Sequence, residues 1–476
     1  MATQTWGQRW SGDYWLHRAA VLELSLDPWT PAHPLTPSPA PDPSLSPYTL
    51  LLGLVVRVTG AGVGDVLSVA ALANLVLLLV GLQVFVRRFS DAPLAPFWSL
   101  LATLFLWGIG PWRWSGYLNA NSIGFGLPYP STFAFAVMLF GLSALYGGLE
   151  RPRPGRLAVL ALSGAAVVLT HPFTGVAMVL AAAAVTVARL GSSPIRVVAR
   201  LMAAAAAAAA LALLWPYYPL LEVLDQAFLY DRAHGPLYHL VAVRTFLALP
   251  ALAALAARLR ADRRDPLVLT FALAGAMFMV GWVTDRDSLG RALPLAMLSA
   301  HIALGVWVAG PGTALWRGAR QGRRAAVLGS GALLLMVGVA GSQAGLSRAV
   351  PRPLLPAGVA DDARLRPLDE ELRFLEETSR EDVLLVRGRR PARVAPGLGA
   401  KVVAPGYIAP LLEDAEQRRS DVSRFFATTS ARERRRIIER YGVSLVLLEG
   451  RSDDEAEALG SVVYRDGRFV LVSVDR

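Results

Sequence analysis

Four stretches carry nearly all the side chains that could do chemistry. The first is "SGDYWLHRAA", residues 11–20, with an acid, two aromatics, a histidine and an arginine packed together. The others are "GPWRWSGYLNANSIGFGLPYPS" at 110–131, "WPYYPLLEVLDQAFLYDRAHGPLYHL" at 215–240 and "TDRDSLGR" at 284–291. A carboxylate can take or give a proton during a reaction. Arginine can hold a phosphate through two parallel hydrogen bonds. Asp13, Glu222, Asp225, Asp231, Asp285 and Asp287 gather with Arg18, Arg232, Arg286 and Arg291 in these segments. As a set they point to a site, although any one of them could be a solvated loop charge. Most of the tryptophans and tyrosines read as interfacial belt residues. His171 in "THPFTG" reads first as a histidine satisfied at a helix end.

These stretches are separated by apolar blocks. The chain has 476 residues, is 54% hydrophobic and only 17% charged, which is the composition of a polytopic membrane protein with some soluble mass attached. Spans need about 20 apolar residues. The pattern predicts ten: 65–86, 92–109, 131–149, 157–173, 174–188, 197–215, 240–257, 266–283, 292–309 and 325–345. Residues 47–58, "PYTLLLGLVVRV", are too short to span and fit a helix lying in the outer interface.

Arginine placement sets the orientation. One set of alternate loops carries sixteen arginines, among them Arg87, Arg153, Arg260 and Arg320, while the opposite set carries Arg113, Arg232, Arg286 and Arg291. The rich set is expected to be cytoplasmic, so the chemistry-bearing loops, the N-terminal segment and the C-terminal domain face outward across the cytoplasmic membrane. An outward N-terminus implies a further helix before residue 1, or export of a short tail by the next span. The net charge of +11 does not signal nucleic acid. Residues 1–345 hold 24 basic against 14 acidic side chains, and the remainder 23 against 22, so the excess lies where membrane topology accounts for it. There is no cysteine, which excludes thiol catalysis, disulfides and thiolate metal sites.

The expected organisation is an extracytoplasmic first loop (1–46), a transmembrane domain (47–345) and a small extracytoplasmic α/β domain (346–476). In the last, "EDVLLVRG" and "YGVSLVLLEG" read as buried strands, "LDEELRFLEETS" and "SARERRRIIERY" as helices, the second opened by a capping box of Ser430 and Glu433, and "SVVYRDGRFVLVSV" as a hairpin turning at Asp466-Gly467. "GLGAKVVAPG" is glycine-rich but has no phosphate-loop pattern. This domain reads as a cap, or as a support for acceptor binding, and not as a catalyst.

The layout resembles the GT-C superfamily of integral-membrane glycosyltransferases, which includes protein O-mannosyltransferases, the aminoarabinose transferase and arabinosyltransferases. The resemblance rests on Asp13 in "GDYWLHR", on "DPWTPAHPL" with Asp27 and His33, and on "SPYTLLLGLVVRVTG", the order of acid, "HP" and interfacial helix. It also rests on "RRSDVSRFFATTSARERRRIIERYGVSLVLLEG" in the tail. The usual paired acids are here a lone Asp13 followed by Tyr14.

The resemblance implies transfer of a sugar, with inversion, from a lipid-linked polyprenyl phosphate donor to an envelope glycan, lipid or protein acceptor. It implies Asp13 as general base, because an acceptor hydroxyl attacks only as its proton leaves. It implies Arg286, Arg291 and Arg232 as holders of the donor phosphate, with Asp231, His234, Asp285, Asp287 and His171 supporting them. His17, Asp27 and His33 fall in the neighbourhood of the acceptor or of a divalent metal ion, which some relatives use; Asp13 and His17 have the i,i+4 spacing of two ligands. Two other readings stand beside this one: a transporter or flippase of lipid-linked precursors, and a GT-C scaffold without activity. Transporters place charges near the midplane and often carry inverted repeats; here the charges lie in loops.

Overall fold

The computed structural model describes residues 12–189, 194–310, 321–342, 371–378, 382–450, 456–466 and 468–474. Its helices of ten or more residues, in chain order, are α1 (Tyr14–Leu26), α2 (Pro47–Thr59), α3 (Val63–Val86), α4 (Ala95–Phe105), α5 (Pro130–Glu150), α6 (Pro154–Thr170), α7 (Pro172–Arg189), α8 (Ile195–Leu213), α9 (Leu249–Ala261), α10 (Pro266–Thr284), α11 (Leu293–Ala309), α12 (Gln321–Gly341), α13 (Arg389–Leu398), α14 (Ala415–Ala427) and α15 (Ala431–Tyr441). The strands are β1 (Val383–Val386), β2 (Lys401–Val402), β3 (Leu445–Glu449), β4 (Ser461–Arg465) and β5 (Phe469–Ser473). The chain forms two compact units.

The larger unit holds Val69–Trp215 and Ala227–Asp361. Among the described residues each of the ten segments expected to span contains a helix, and seven helices are long and apolar enough to cross a membrane. Segments 92–109, 157–173 and 325–345 fall on shorter apolar helices, Ala95–Phe105, Pro154–Thr170 and Gly329–Gly341. The segment at 240–257 is not one straight rod. It runs through Val241–Thr245 and a 3-10 turn at Phe246–Ala248 before α9, because Pro250 starts a new helix at its second position. Helices α5 and Asp287–Ala309 have 83% and 78% of their apolar windows buried, so they form the centre of this bundle. Helix α11 packs on α4, where a β-carbon on Gly305 would lie 2.2 Å from Ser99 Oγ. Small residues let helix backbones approach in this way.

The other unit holds Gln8–Ser68, Pro216–Gln226 and Asp362–Arg476. It therefore joins the expected first loop and the 47–58 helix to the C-terminal α/β segment. Its sheet has the order β2-β1-β3-β5-β4, with β1 parallel to β2 and β3, and β5 antiparallel to β3 and β4. The expected strands 383–386 and 445–449 and the 461–473 hairpin are all present. Leu385, Val446, Leu448, Val470 and Val472 meet Phe425, Ile437 and Tyr441 from α14 and α15 in one core. Ser430 Oγ accepts the Glu433 N–H at 3.4 Å, as expected, but the Glu433 carboxylate accepts from Thr428 Oγ1 rather than closing the box. Of "LDEELRFLEETS", the described part includes the short helix Leu375–Thr378.

Candidate functional site

Asp13 stands at the start of α1, at the N-cap position, without a side-chain capping bond. It is partly exposed. Tyr407 donates its hydroxyl to Gly12 O at 2.9 Å. Burial holds that phenol well above its usual range, and the nearby Asp13 charge adds to the effect. The Arg393 guanidinium lies 4.8 Å from the Tyr407 ring centroid, and its Nε donates to Gly406 O. The carboxylate thus lies near a protonated phenol, over whose ring Arg393 of α13 is placed. One turn on, His17 is partly buried, and burial pushes its imidazole down to about 3, so it is neutral at physiological pH.

The rest of the first loop is fixed to the C-terminal segment of the same unit. Lys401 pairs with Glu23 and donates to His33 O at 2.7 Å. Val402 N donates to Leu35 O at 2.9 Å, so the loop backbone is hydrogen-bonded to the edge strand β2. Arg418 reaches Thr36 Oγ1 at 2.8 Å and Pro37 O at 3.3 Å, and it is itself held by Asp414. His33 is buried, with Nε2 3.4 Å from Asp42 Oδ2; burial lowers its basicity more than Asp42 raises it. Asp27 closes an exposed turn, accepting from Trp29 N, Thr30 N and Thr30 Oγ1. His33 and Asp27 are thus engaged in shaping the loop.

In the larger unit, helix α6 ends and α7 begins at the "HP" pair. His171 is the C-cap of α6, and Pro172 opens α7. Pro172 has no N–H to satisfy, so the chain turns at this point without loss. His171 Nδ1 lies 2.8 Å from Thr174 Oγ1, and its Nε2 lies 3.2 Å from Arg291 Nη2. Arg291 is only 8% exposed and stacks over Phe173 at 5.0 Å. Gly116 makes room for the pair. Its φ is +76°, and a β-carbon there would sit 3.2 Å from Arg291 Nη2 and 3.3 Å from His171 Cε1.

The loop that presents Gly116 is tied by its own amides. Asn119 Nδ2 and Ser122 Oγ both donate to Trp112 O, at 3.0 and 2.7 Å, and Trp114 N donates to Ser122 Oγ at 3.0 Å. Aromatic rings line the same place. His234 packs on Phe173 at 5.1 Å, Trp114 at 5.6 Å and Tyr230 at 6.1 Å. His234 Nδ1 lies 3.1 Å from Ser288 Oγ, and Ser288 N donates to Asp231 Oδ1 at 2.8 Å. Burial, reinforced by Arg291, pushes His234 down to about 3.

"TDRDSLGR" folds as a left-handed cap at Asp285 (φ 54°) followed by a 3-10 helix, Asp287–Ala292. It separates the two arginines by environment. Arg286 is 62% exposed and lies 3.7 Å from Asp231, whereas Arg291 is buried against His171. Arg232 and Asp285 are exposed.

No protein-family model and no curated protein matches the sequence. Solved structures do match. The oligosaccharyltransferase of the archaeon Archaeoglobus fulgidus in its apo form superposes with a TM-score of 0.54 at 13% identity, over 93% of this chain and 66% of the archaeal one. This chain has the fold of that archaeal enzyme, the GT-C fold. Two further structures of that archaeal enzyme agree. One, described as AglB with an inhibitory peptide and a dolichol-phosphate, gives a TM-score of 0.51 at 13% identity over 93% of this chain and 66% of the other. The other, a complex with Zn and sulfate, gives 0.50 at 13% identity over 93% and 64%. The chain spans slightly less than two thirds of the archaeal enzyme.

The GT-C fold raises the question of a metal. Among the described residues, no three His, Asp or Glu side chains gather as a ligand set. Asp13 and His17 are a turn apart, but His17 is turned into a buried setting. The described residues therefore do not by themselves fit a closed metal site, and the chemistry below is carried by the chain's own groups.

Sequence reasoning missed the C-terminal residues that grip the first loop, Lys401 and Arg418, and those beside Asp13, Tyr407 and Arg393. A signal for one of them was present. Lys401 is the single lysine among 47 Lys and Arg residues. Gly116 was also missed, since nothing local marks a glycine as the neighbour of residues 55 and 175 positions away.

Proposed function

We propose that this GT-C chain is a glycosyltransferase that moves a sugar from a polyprenyl phosphate donor to a hydroxyl-bearing envelope acceptor on the outer face of the cytoplasmic membrane, with inversion. The observation that carries the reading is Arg291. It is buried, oriented by His171, braced by Phe173, and given space by Gly116. A guanidinium presents a planar fork of donors that matches a phosphate, and here it is held in one place by His171 and the Phe173 ring. A protein of the same fold has been captured with a dolichol-phosphate, which supports the same ligand class here. Arg286, exposed beside Asp231, and Arg232 would meet the anion as it arrives.

In this reading Asp13 takes the proton of the acceptor hydroxyl as its oxygen bonds to the anomeric carbon. The bond from that carbon to the phosphate oxygen breaks, and the polyprenyl phosphate leaves as an anion. Tyr407, kept protonated near the Asp13 charge, and Arg393 over the Tyr407 ring line this end of α1. The deciding experiment offers a panel of polyprenyl phosphate sugars to the purified protein and analyses the products, with Arg291→Ala and Arg291→Lys alongside. Loss of charge-assisted bonds should weaken donor binding by about 1.5–3 kcal/mol in the alanine variant, with partial recovery in lysine. Equal affinity of the wild type and Arg291→Ala for a polyprenyl phosphate would refute the assignment.

A further inference from the structure

Helix α15, "ARERRRIIERY", carries charges that do not help it as a helix. Ile437 and Tyr441 turn into the core of their unit. Arg432, Arg435 and Arg436 share the outward face at i, i+3 and i+4 spacing, and all three are exposed. Among the described residues none of the three is held in an ion pair or a side-chain hydrogen bond. Arg432 lies in the first turn, where the helix dipole is already positive, and its neighbours on this face repel it. Glu439 is the one acid on the face. At its rim Arg440 is held 3.2 Å from Asp421, a buried carboxylate that also accepts from the Tyr441 hydroxyl at 2.8 Å.

The sheet decides which way this basic face looks. The chain passes from β1 through α13 to β2, then back across β1 through α14 and α15 to β3, all three strands being parallel. Right-handed crossovers in opposite directions lay α13 on one face of the sheet and α14 and α15 on the other. The pleat agrees. Leu385, Val446 and Val472 meet α14 and α15, while the buried Leu384, Leu447 and Leu471 alternate with them and face away. Helix α1 packs on α13, and α2 packs on α1. Helix α2 exposes Leu51, Leu54, Val55 and Val58 along one face, a surface suited to a lipid interface. The unit therefore has its apolar surface on the α13 side of the sheet and its arginine surface on the other.

We infer that the Arg432, Arg435 and Arg436 face docks an anionic envelope glycan, a polymer with carboxylates or phosphodiesters along its length, and holds it as the acceptor. This rests on the transferase reading. Guanidinium forks match both kinds of anion. Anionic lipid headgroups are the other source of such charge, but the surface of this unit that suits lipid is apolar and belongs to the opposite side of the sheet.

The test uses the full chain in phosphatidylcholine nanodiscs and a fluorescent decamer of galacturonic acid, with the methyl-esterified decamer as its neutral control. Anisotropy should show the charged decamer bound and the ester not, with affinity falling as salt rises from about 50 to 300 mM, because exposed charges are screened. The triple variant Arg432→Gln, Arg435→Gln and Arg436→Gln keeps good helix formers. It should bind the decamer about tenfold more weakly or worse, while its circular dichroism and its affinity for a polyprenyl phosphate stay those of the wild type. Arg435→Gln and Arg436→Gln singly, each expected to lose about threefold, replace it if the triple variant misfolds. Wild-type affinity in these variants, or equal binding of the decamer and its ester, overturns the inference. So does capture of the chain by phosphatidylglycerol vesicles through the same arginines with no binding of the decamer. If a panel of polyprenyl phosphate sugars gives no product while the decamer still binds through these arginines, the transferase reading fails and the docking surface stands.

Discussion

Lys401 pairs with the carboxylate of Glu23, 378 positions earlier in the sequence, and the same ammonium donates to His33 O. Burial alone lowers the basicity of this lysine, and Glu23 opposes that effect. Both side chains are largely buried, at 17% and 12% exposure. Removing one partner strands the other charge, at a cost of about 3–5 kcal/mol. Lys401→Ala should therefore lower the melting temperature of the purified protein and expose the 27–46 stretch to protease. A double-mutant cycle with Glu23→Gln should recover part of the loss. Additive effects in the two single variants would show that the pair is not coupled.

Gly116→Ala should damage the Arg291 site without touching a charged residue. The substitution forces a side chain into a positive-φ position, costing roughly 1–2 kcal/mol, and drives its methyl toward Arg291 Nη2 and His171 Cε1. Affinity for a polyprenyl phosphate should fall by about tenfold or more, with the helical content by circular dichroism unchanged. Unchanged affinity would mean that the phosphate is bound elsewhere.

Asp13→Asn separates binding from chemistry. An amide keeps the shape but cannot take the acceptor proton. Turnover should drop by about 10²–10⁴-fold while donor affinity stays near that of the wild type. Turnover like that of the wild type would remove Asp13 from the reaction.

The buried imidazoles make the fold acid-sensitive. His17 and His234 are held down to about 3, whereas an unfolded histidine titrates near 6.5. Below that value the unfolded chain binds more protons than the native one, so stability is full above about pH 6.5 and falls as the pH drops toward 3. Each group contributes a slope of about 1.4 kcal/mol per pH unit in that window. Thermal melts between pH 4 and 7 should show the decline, and His17→Gln should make it shallower. An identical slope in the variant would contradict the buried setting.

The arginine pattern makes a topological prediction. Single cysteines introduced at Arg153 and at Arg424 into this cysteine-free chain should differ in labelling by an impermeant maleimide on intact cells, with Arg424 reactive and Arg153 protected. Labelling at Arg153 alone would invert the orientation and move the site inside.

How much of this was legible in the sequence depended on the range of the interaction. Hydropathy located the helices, because burial in lipid or bundle acts on about 20 consecutive residues at once. Alternation and the Asp466-Gly467 turn located the hairpin for the same local reason. The 240–257 segment broke where Pro250 restarts a helix, a detail that hydropathy averages away. Arg291 was marked, with Arg286, as an arginine in the arginine-poor set of loops, but its burial apart from Arg286 was not, since a 3-10 turn rotates neighbours differently from an α-helix. The partners of the first loop were not legible, because Lys401–Glu23 and Val402–Leu35 pair the two ends of the chain and leave no local pattern.

That long-range pairing has a consequence for biosynthesis. The 12–68 segment leaves the ribosome early, but β2, α13 and α14, which it binds, are made only after the whole helical bundle has been synthesised. The unit cannot close until then, and closing it means joining segments more than 300 residues apart, a slow step in folding. Through most of synthesis, Asp13 does not have Tyr407 near it. A chain that stops short would insert its helices and still lack a finished acid-bearing unit, so the fold itself withholds that unit from incomplete products.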